Sequence, residues 1–262
     1  MQIITSKDNE KIKYVKKLKE KKHRDESGKY VIEGIKMLEE AIKENADVDM
    51  IIICEECIKR EVLDTKFLYE IADKECIYVT EKIFNSLTDV VNPQGILAII
   101  NKSNKENKIK YDEDFILILD NIQDPGNMGT ILRTLDSINI SQVIVSKNSA
   151  DVYNPKVIRS TMGAIFRVNV VESDNLVETI EDIKSQKYRV LATSLKATKN
   201  MYEVDFKKTA VVIGNEANGI SEEVLKIVDT HIKIPMLGRT ESLNASVAAS
   251  VIMYEYVRQR LM

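Results

Sequence analysis

Three polar stretches of the chain place residues that can bind a ligand where an apolar strand gives way to a helix. The first stretch holds Asn127 and Arg133, the second Glu216, and the third Ser242 and Asn244. Loops between a strand end and a helix start expose backbone amides, which suit a polar ligand. Because such loops meet at the carboxyl edge of a parallel sheet, the pattern predicts a ligand site at that edge.

The first stretch predicts a tight turn followed by a helix. Between Asp124 and Asn127, a proline fixes one φ angle and a glycine gives freedom at the next. We expect Asn127 to be the helix N-cap, with Gly129 and Arg133 on one face of the helix. Helical side chains lean toward the N-terminus, so Arg133 should lie back over Gly129. A surface arginine that bonds to a neighbouring carboxylate is the alternative.

The other two stretches also predict strand-loop-helix corners. In the second, a strand runs into Gly214, Glu216 follows, and Ser221 is placed to cap the next helix. In the third, we expect Ser242 to open a helix whose small residues allow close approach. Phosphate loops of the G-x-x-x-x-G-K-[ST] type are absent, and no G-x-G-x-x-G follows the first strand, so a dinucleotide fold gains little support. Glu216 acting only as an acceptor for loop amides is the alternative.

The composition limits the class of protein. A chain of 262 residues with 44% hydrophobic and 30% charged residues fits one large or two modest soluble domains. No apolar run reaches the roughly 18 residues of a membrane span, and the start lacks the pattern of a secretory or organellar leader. We therefore predict a cytoplasmic protein without a membrane segment.

The cysteines argue against two kinds of site. Three cysteines, an odd number, favour a reducing compartment over a disulfide framework. Cys54 and Cys57 have C-x-x-C spacing, but structural zinc needs four ligands and the chain has only two histidines. We predict no metal and interpret these thiols as residues at a strand end.

A basic stripe extends from Lys11 to Arg24. It holds eight basic residues against one acidic residue, Glu20, although the whole chain has a net charge of -3. Such a stripe is the electrostatic footprint of a nucleic-acid contact, and a solvated helix face is the alternative. The candidate contacts are Lys16, Lys17, Lys21, Lys22 and Arg24.

Strands and helices alternate along the chain, which favours α/β units with largely parallel sheets. Strands are predicted at Tyr30–Glu33, Val48–Cys54, Cys76–Val79, Gly95–Ile100, Phe115–Asp120, Gln142–Ser146, Val190–Leu195, Thr209–Gly214 and His231–Met236. Helices are predicted at Ile35–Lys43, Val62–Ala72, Met128–Ile138, Leu176–Gln186 and Ser221–Val228, and from Thr80 and Leu243. The polar run from Asn101 to Lys110 adds little core, so we predict domains at 1–104 and 113–262 with a linker at 105–112.

Taken in order, the three stretches resemble the three motifs of SpoU/TrmH-type RNA ribose methyltransferases of the SPOUT superfamily. The matching residues are Asp124-Pro125-Gly126-Asn127, Gly129 and Arg133, then Gly214-Asn215-Glu216 and Gly219, then Ile234-Pro235-Met236, Gly238, Ser242-Leu243-Asn244 and Ser246-Val247-Ala248. Asn154 to Phe166 also resembles this family, and the likeness covers Phe115 to Met262. The first domain, with Tyr30 to Gly34, resembles the RNA substrate-binding domain of the ribosomal-RNA members.

The resemblance implies a trefoil-knotted α/β domain that binds S-adenosylmethionine and forms a homodimer. It implies that backbone at Thr193, Gly214, Ile234 and Leu243 holds the cofactor. RNA is the implied partner, with no DNA and no membrane. Large-subunit (23S) ribosomal RNA is favoured, because the shorter transfer-RNA enzymes of this type usually lack the first domain.

The implied reaction transfers a methyl group to a ribose 2′-hydroxyl, a poor nucleophile until it loses its proton. Family proposals assign this activation to the arginine that corresponds to Arg133. A free guanidinium has a pKa above about 12, so we favour Arg133 as the group that positions the ribose or phosphate and stabilises the developing alkoxide. Base catalysis stays open. Asn127, Glu216, Ser242 and Asn244 would orient Arg133, the loops and the ribose.

Two alternatives to this reaction remain at the level of the sequence. One is a non-catalytic RNA-binding or ribosome-assembly protein that keeps a cofactor fold. The other is a methyltransferase that acts on a base nitrogen of RNA. Titration with S-adenosylmethionine would distinguish the first alternative, and mapping of the product nucleoside would distinguish the second.

Overall fold

The computed structural model describes residues 3–60, 65–103 and 107–262. The chain groups into two units, one of residues 1–104 with 153–166 and the other of residues 105–152 with 167–262. The segment 153–166 thus belongs to the first unit. The domain ranges predicted from the sequence place this segment in the second domain instead. Those ranges remain a proposal.

The first unit is built on a mixed sheet. Its elements are β1 (Ile3–Ile4), α1 (Glu10–Lys17), α2 (Lys21–Ser27), β2 (Lys29–Glu33), α3 (Ile35–Lys43), β3 (Val48–Cys54), α4 (Glu55–Lys59), α5 (Thr65–Glu70), β4 (Cys76–Val79), α6 (Glu81–Phe84) and β5 (Ile96–Asn101). The described strands follow the order β1-β4-β3-β5-β2. β1, β4 and β3 are parallel, whereas β5 runs antiparallel to both β3 and β2.

The prediction of a largely parallel sheet is therefore wrong for this unit. A parallel neighbour requires a crossover that returns the chain to the starting edge of the sheet. After β4, the one-turn helix α6 and a loop lead directly into β5, which starts at the edge where β3 ends. The Thr80 side chain, directly before α6, makes no capping bond to that helix. The predicted helix at Val62–Ala72 begins outside the described residues, and α5 covers part of it.

Helix α1 turns its apolar side toward this sheet and its lysines away from it. Asn9 caps the helix by accepting a hydrogen bond from the Lys11 amide. Ile12 and Val15, three residues apart on one face, are buried in the core that includes Ile52 of β3. Lys11, Lys13 and Lys17 on the rest of the helix are exposed, which places a charged face on the surface of the unit.

The rest of the chain forms a parallel sheet with helices in the crossovers. Its elements are β6 (Phe115–Leu119), α7 (Pro125–Ser137), β7 (Gln142–Ser146), α8 (Pro155–Thr161), α9 (Ala164–Arg167), β8 (Asn169–Ser173), α10 (Leu176–Ser185), β9 (Arg189–Thr193), β10 (Lys199–Asn200), a short 3-10 turn (Met201–Glu203), β11 (Thr209–Ile213), α11 (Glu222–Ile227), β12 (Thr230–Lys233) and α12 (Ala245–Leu261). Elements α8, α9, β8, β10 and the 3-10 turn were not predicted. The described strands follow the order β10-β12-β9-β11-β6-β7-β8, and every pair is parallel, which confirms the α/β prediction here.

Two side-chain amides fix the segment before β6 to this sheet. Asn107 bonds to both peptide groups of Glu172 on the edge strand β8, accepting from its amide at 2.8 Å and donating to its carbonyl at 2.9 Å. Gln142 bonds in the same way to both peptide groups of Lys110, at 3.0 and 2.5 Å. The described part of the predicted linker is therefore anchored to the second unit.

No helix in the described residues is long and apolar enough to cross a bilayer.

Candidate active site and nucleic-acid interface

A cavity of about 430 Å³ opens where strands β9, β11 and β12 end. Its size falls within the roughly 300–1,000 Å³ of small-molecule sites. The four predicted cofactor-binding residues, Thr193, Gly214, Ile234 and Leu243, all line it. Apolar side chains from the sheet and from α11 also line the cavity, among them Ile213, Ile232 and Leu225. Peptide groups at strand ends beside an apolar wall fit a cofactor that carries both an adenine ring and a polar tail.

The loop after β11 has a shape that requires glycine at position 214. A Cβ on Gly214 would lie 2.3 Å from the Gly219 carbonyl carbon and from the Ile220 nitrogen. This crowding arises because Asn215 and Gly219 form an antiparallel bridge, with backbone hydrogen bonds of 2.9 and 3.0 Å. The Asn215 side chain also donates to the Asn121 carbonyl at 2.8 Å. The loop is thereby folded tightly beside the cavity.

The two helix starts at the site differ from the predicted ones. Asp124, rather than Asn127, caps α7, because its carboxylate accepts the Asn127 amide at 2.8 Å and Pro125 occupies the first helical position. Asn244, rather than Ser242, caps α12, through bonds to two amides of the first turn. The Asn127 side chain is thereby free of capping and is available for contacts across the site.

Asn127 lies at the centre of a chain of hydrogen bonds that we call the amide relay, formed by Asn244, Asn127 and Glu216. The Asn244 Nδ2 donates to the Asn127 Oδ1 at 2.9 Å. The Asn127 Nδ2 then donates to the Glu216 Oε1 at 2.7 Å. Asn127 is buried, so both polar ends of its amide are satisfied within the protein. The relay joins the starts of two helices to the loop after β11.

Not all predicted catalytic residues belong to this relay. Ser242 is exposed and lines the cavity. Arg133 is exposed on α7 and does not line the cavity. Among the described residues its guanidinium has no hydrogen bond or ion pair, so the alternative of an arginine held by a neighbouring carboxylate does not apply there. Arg133 is a cation available to an external anion.

Sequence reasoning missed a buried carboxylate that shapes the same edge. Asp120, which is 2% exposed, follows β6 and accepts the Ser221 amide at 2.8 Å. It also accepts the Asn121 side-chain amide at 2.8 Å. Asp120 thus connects the end of β6 to the start of α11, where the Ser221 side chain itself makes no capping bond. The sequence did contain a signal for Asp120, since it is a carboxylate placed directly after an apolar strand.

The predicted nucleic-acid contacts separate into two groups. Lys17, Lys21 and Lys22 are exposed and Lys16 is half-buried. Lys16, Lys17 and Lys21 make no ion pair with any residue that the structure describes, and Lys22 lies 3.9 Å from Glu26. We call Lys16, Lys17 and Lys21 the open lysines.

Arg24 belongs to the second group and corrects the prediction. It is 2% exposed, and its Nη1 donates to the carbonyl oxygens of Leu18 and Lys19 at 2.8 and 2.6 Å. Those carbonyls lie just after α1, where the helix leaves them without intrahelical partners. Arg24 therefore stabilises the turn between α1 and α2, and its guanidinium does not reach the surface.

The thiols of the C-x-x-C sequence lie in the core of the first unit. Cys54 and Cys57 are buried, and a Cβ on Gly95, which has φ +79°, would lie 2.4 Å from the Cys57 Sγ. Burial raises the pKa of the Cys54 thiol to about 12, which keeps it protonated at neutral pH. The described residues contain no group of three or more His, Cys, Asp or Glu that could hold a metal.

Two family models match the chain. The one described as the SpoU rRNA Methylase family matches residues 114–254. The one described as the MRM3-like substrate binding domain matches residues 9–98. Among curated relatives, the 23S rRNA (guanosine(2553)-2'-O)-methyltransferase RlmP of Bacillus subtilis (strain 168) is 32% identical over 255 residues, covering 97% of this chain and 98% of the relative.

Solved structures show the same likeness. A crystal structure of an RNA 2'-O ribose methyltransferase superposes with a TM-score of 0.85 at 29% identity and covers 100% of both chains. The SpoU methyltransferase AviRb from Streptomyces viridochromogenes, crystallised with the cofactor AdoMet, gives a TM-score of 0.87 at 26% identity, covering 97% of this chain and 98% of its own. The resemblance carried by the motifs is confirmed, and the chain belongs to the SpoU rRNA methylase family.

Proposed function

We propose that this protein methylates a ribose 2′-hydroxyl of large-subunit ribosomal RNA. The coarser activity follows from the family, since the chain is an S-adenosylmethionine-dependent RNA 2′-O-methyltransferase. One observation carries the finer assignment: the Bacillus subtilis relative, named for 23S rRNA, aligns along 97% of this chain, the first unit included. A likeness limited to the second unit would support the activity alone.

S-adenosylmethionine would occupy the cavity at the ends of β9, β11 and β12. Backbone at Thr193, Gly214, Ile234 and Leu243 would hold it, which the position of these residues in the cavity wall supports. When bound, the cofactor supplies an activated methyl group on a sulfonium centre. The protein then has to align the acceptor oxygen with that group, and such alignment supplies much of the acceleration in transfer reactions.

Arg133 would act on the acceptor hydroxyl. Its guanidinium is exposed and is free of partners among the described residues, as a group that receives an external phosphate or ribose must be. A fixed positive charge stabilises the alkoxide that develops as the 2′-hydroxyl loses its proton. We propose that Arg133 positions the ribose or its phosphate and stabilises this charge.

The amide relay would keep the loops of the site in one arrangement. Asn127 fixes one oxygen of Glu216 and, at the same time, holds Asn244 at the start of α12. Hydrogen bonds within such a network restrict the loops that surround the cofactor and the ribose. Glu216 and Ser242, which both line the cavity, would orient the bound groups there.

The open lysines would bind the RNA backbone through the first unit. Ammonium groups that have no partner among the described residues are free to neutralise phosphates and release counterions. Lys22, 3.9 Å from Glu26, would contribute less because it shares its charge with that carboxylate.

A homodimer through α7 and α12 also belongs to the proposal. An open, mostly apolar groove of about 330 Å³ between these helices is lined by Val247, Val251 and Tyr254 together with small polar residues. Val247 and Tyr254 are exposed in the single chain, which supports coverage of this face by a second copy. The trefoil knot and the cytoplasmic location remain predictions.

The central test is Arg133→Ala with ribosomal RNA as the substrate. We expect methyl transfer to be lost while the affinity for S-adenosylmethionine, measured by calorimetry, stays within about twofold of wild type. Labelled cofactor and mapping of the methylated nucleoside in ribosomal and transfer RNA would identify the target. Wild-type turnover by Arg133→Ala would exclude the assigned role.

A matched variant separates this role from a general loss of charge. Arg260→Ala removes another exposed arginine of the second unit, which among the described residues contacts Tyr256 through a hydrogen bond and its ring face. It should retain wild-type turnover. If the wild-type protein methylates transfer RNA in preference to ribosomal RNA, the proposed substrate is wrong. The assignment as an RNA 2′-O-methyltransferase would not be affected.

A further inference from the structure

Two lysines line the cavity in addition to the predicted cofactor-binding residues. Lys233 is the last residue of β12, and Lys196 lies three residues beyond the end of β9. These strands are parallel neighbours in which Ile232 pairs with Thr193, so both lysines follow the same edge of the sheet. Within the part of the chain that the structure describes, neither ammonium group has a hydrogen bond or an ion pair.

The charges around this cavity do not balance within the protein. Among the described lining residues Glu216 is the sole acid, and its Oε1 already accepts a hydrogen bond from Asn127. S-adenosylmethionine carries one carboxylate, at the end of its methionine tail. A carboxylate that leaves water requires charged or hydrogen-bonded partners, and ammonium groups provide short, charge-assisted bonds.

We propose that Lys196 and Lys233 bind the carboxylate of the cofactor's methionine tail. The proposal rests on the proposed function, because it assumes that this cavity holds the cofactor. Neither lysine is among the motif residues that carry the family resemblance, so the contact is assigned from the cavity of this chain. The two lysines select ligands that retain the amino-acid tail.

Two ligands that differ only in this tail provide the test. S-adenosylhomocysteine and 5′-methylthioadenosine share the adenosine and an uncharged thioether, but 5′-methylthioadenosine lacks the carboxylate and the ammonium group. Calorimetry on the full chain without RNA gives the Kd of each ligand. For the double variant Lys196→Ala with Lys233→Ala, we expect S-adenosylhomocysteine to bind about tenfold to a hundredfold more weakly, as for a lost hydrogen bond to a charged group. The Kd of 5′-methylthioadenosine should stay unchanged.

Two further variants sharpen this experiment. The double variant Lys196→Arg with Lys233→Arg keeps both charges and should recover most of the S-adenosylhomocysteine affinity. Lys207→Ala removes an exposed lysine whose ammonium is unpaired in the described residues and which precedes β11, at the opposite edge of the sheet. It should bind both ligands as wild type does.

Each other result overturns the inference. Equal weakening of both ligands would mean that the alanines disturb the cavity rather than remove a carboxylate contact. Unchanged affinity for both would show that the lysines do not bind the carboxylate of the tail. If wild type binds neither ligand, the proposed cofactor site fails as well, and this result is distinct from a failure of the lysines alone.

Discussion

The two units present their candidate binding groups in opposite ways. In the second unit, the amide relay joins Asn127 to partners 89 and 117 positions away in the chain, and Asn127 itself is buried. In the first unit, the open lysines are neighbours in sequence, and none has a partner in the described residues. The relay consists of directional hydrogen bonds that form only when the three side chains are correctly placed. The lysines instead form a charged surface that does not depend on one exact arrangement.

This contrast predicts two different responses to mutation. A relay fails when one member is lost, because the remaining groups are left with unsatisfied polar atoms in a partly buried place. A charged surface loses affinity by increments, because each phosphate contact adds separately and is weakened by salt. Variants of the relay and of the charged surface test that distinction.

Asn127→Ala should have the largest effect. It removes the amide that bonds to the Glu216 Oε1 and the Asn244 Nδ2, so the loop after β11 and the start of α12 are no longer held to α7. We expect kcat for RNA methylation to fall about tenfold to a thousandfold, in the range of other lost preorganised hydrogen bonds. Asn175→Ala, which removes a helix-capping amide of α10 in the same unit, should keep wild-type kcat. Equal kcat for wild type and Asn127→Ala would show that the relay is not needed for the reaction.

Replacing all three open lysines by alanine should produce a smaller, graded effect. RNA affinity should fall about tenfold to a hundredfold near physiological salt, and the slope of log K against log salt should decrease by roughly two. Filter binding across a salt series measures both quantities, and cofactor affinity should not change. Lys11→Ala with Lys13→Ala is the matched control, since these lysines already pair with Glu75 and Glu10. An unchanged salt slope in the triple variant would remove these lysines from the RNA surface.

Arg24→Ala should act on stability alone. Loss of the hydrogen bonds to the Leu18 and Lys19 carbonyls should reduce the free energy of unfolding of the first unit by about 1–3 kcal/mol. Urea denaturation measures this change, and RNA affinity of the folded fraction should equal that of wild type. Weaker RNA binding without any loss of stability would return Arg24 to the set of RNA contacts.

Local patterns in the sequence predicted individual elements well. Helix Ile35–Lys43 and strands Val48–Cys54 and Gln142–Ser146 have their predicted bounds, because Gly34 precedes the helix and polar residues flank each apolar strand. Strand direction was harder to predict. The reversal at β5 depends on a loop that leads straight into the sheet, and the composition of that loop does not specify the direction.

The site was predictable as a set of residues and less so as a set of bonds. Asp124 and Asn127 are both good capping residues, and only Pro125 at the first helical position favours Asp124. The relay could not be derived from spacing, since its partners are distant in sequence. Arg24 was misassigned because charge alone does not distinguish an exposed cation from one that bonds to carbonyls after a helix.

The contact between Asn107 and Glu172 has a consequence for self-association. Strand β8 is an edge of the parallel sheet, and an open edge can recruit a strand from another molecule and start aggregation. The Asn107 amide bonds to both the N–H and the C=O of Glu172, the next-to-last residue of that strand. A side chain from the segment before β6 thus acts as a one-residue substitute for a neighbouring strand, and it protects the edge from intermolecular β-pairing.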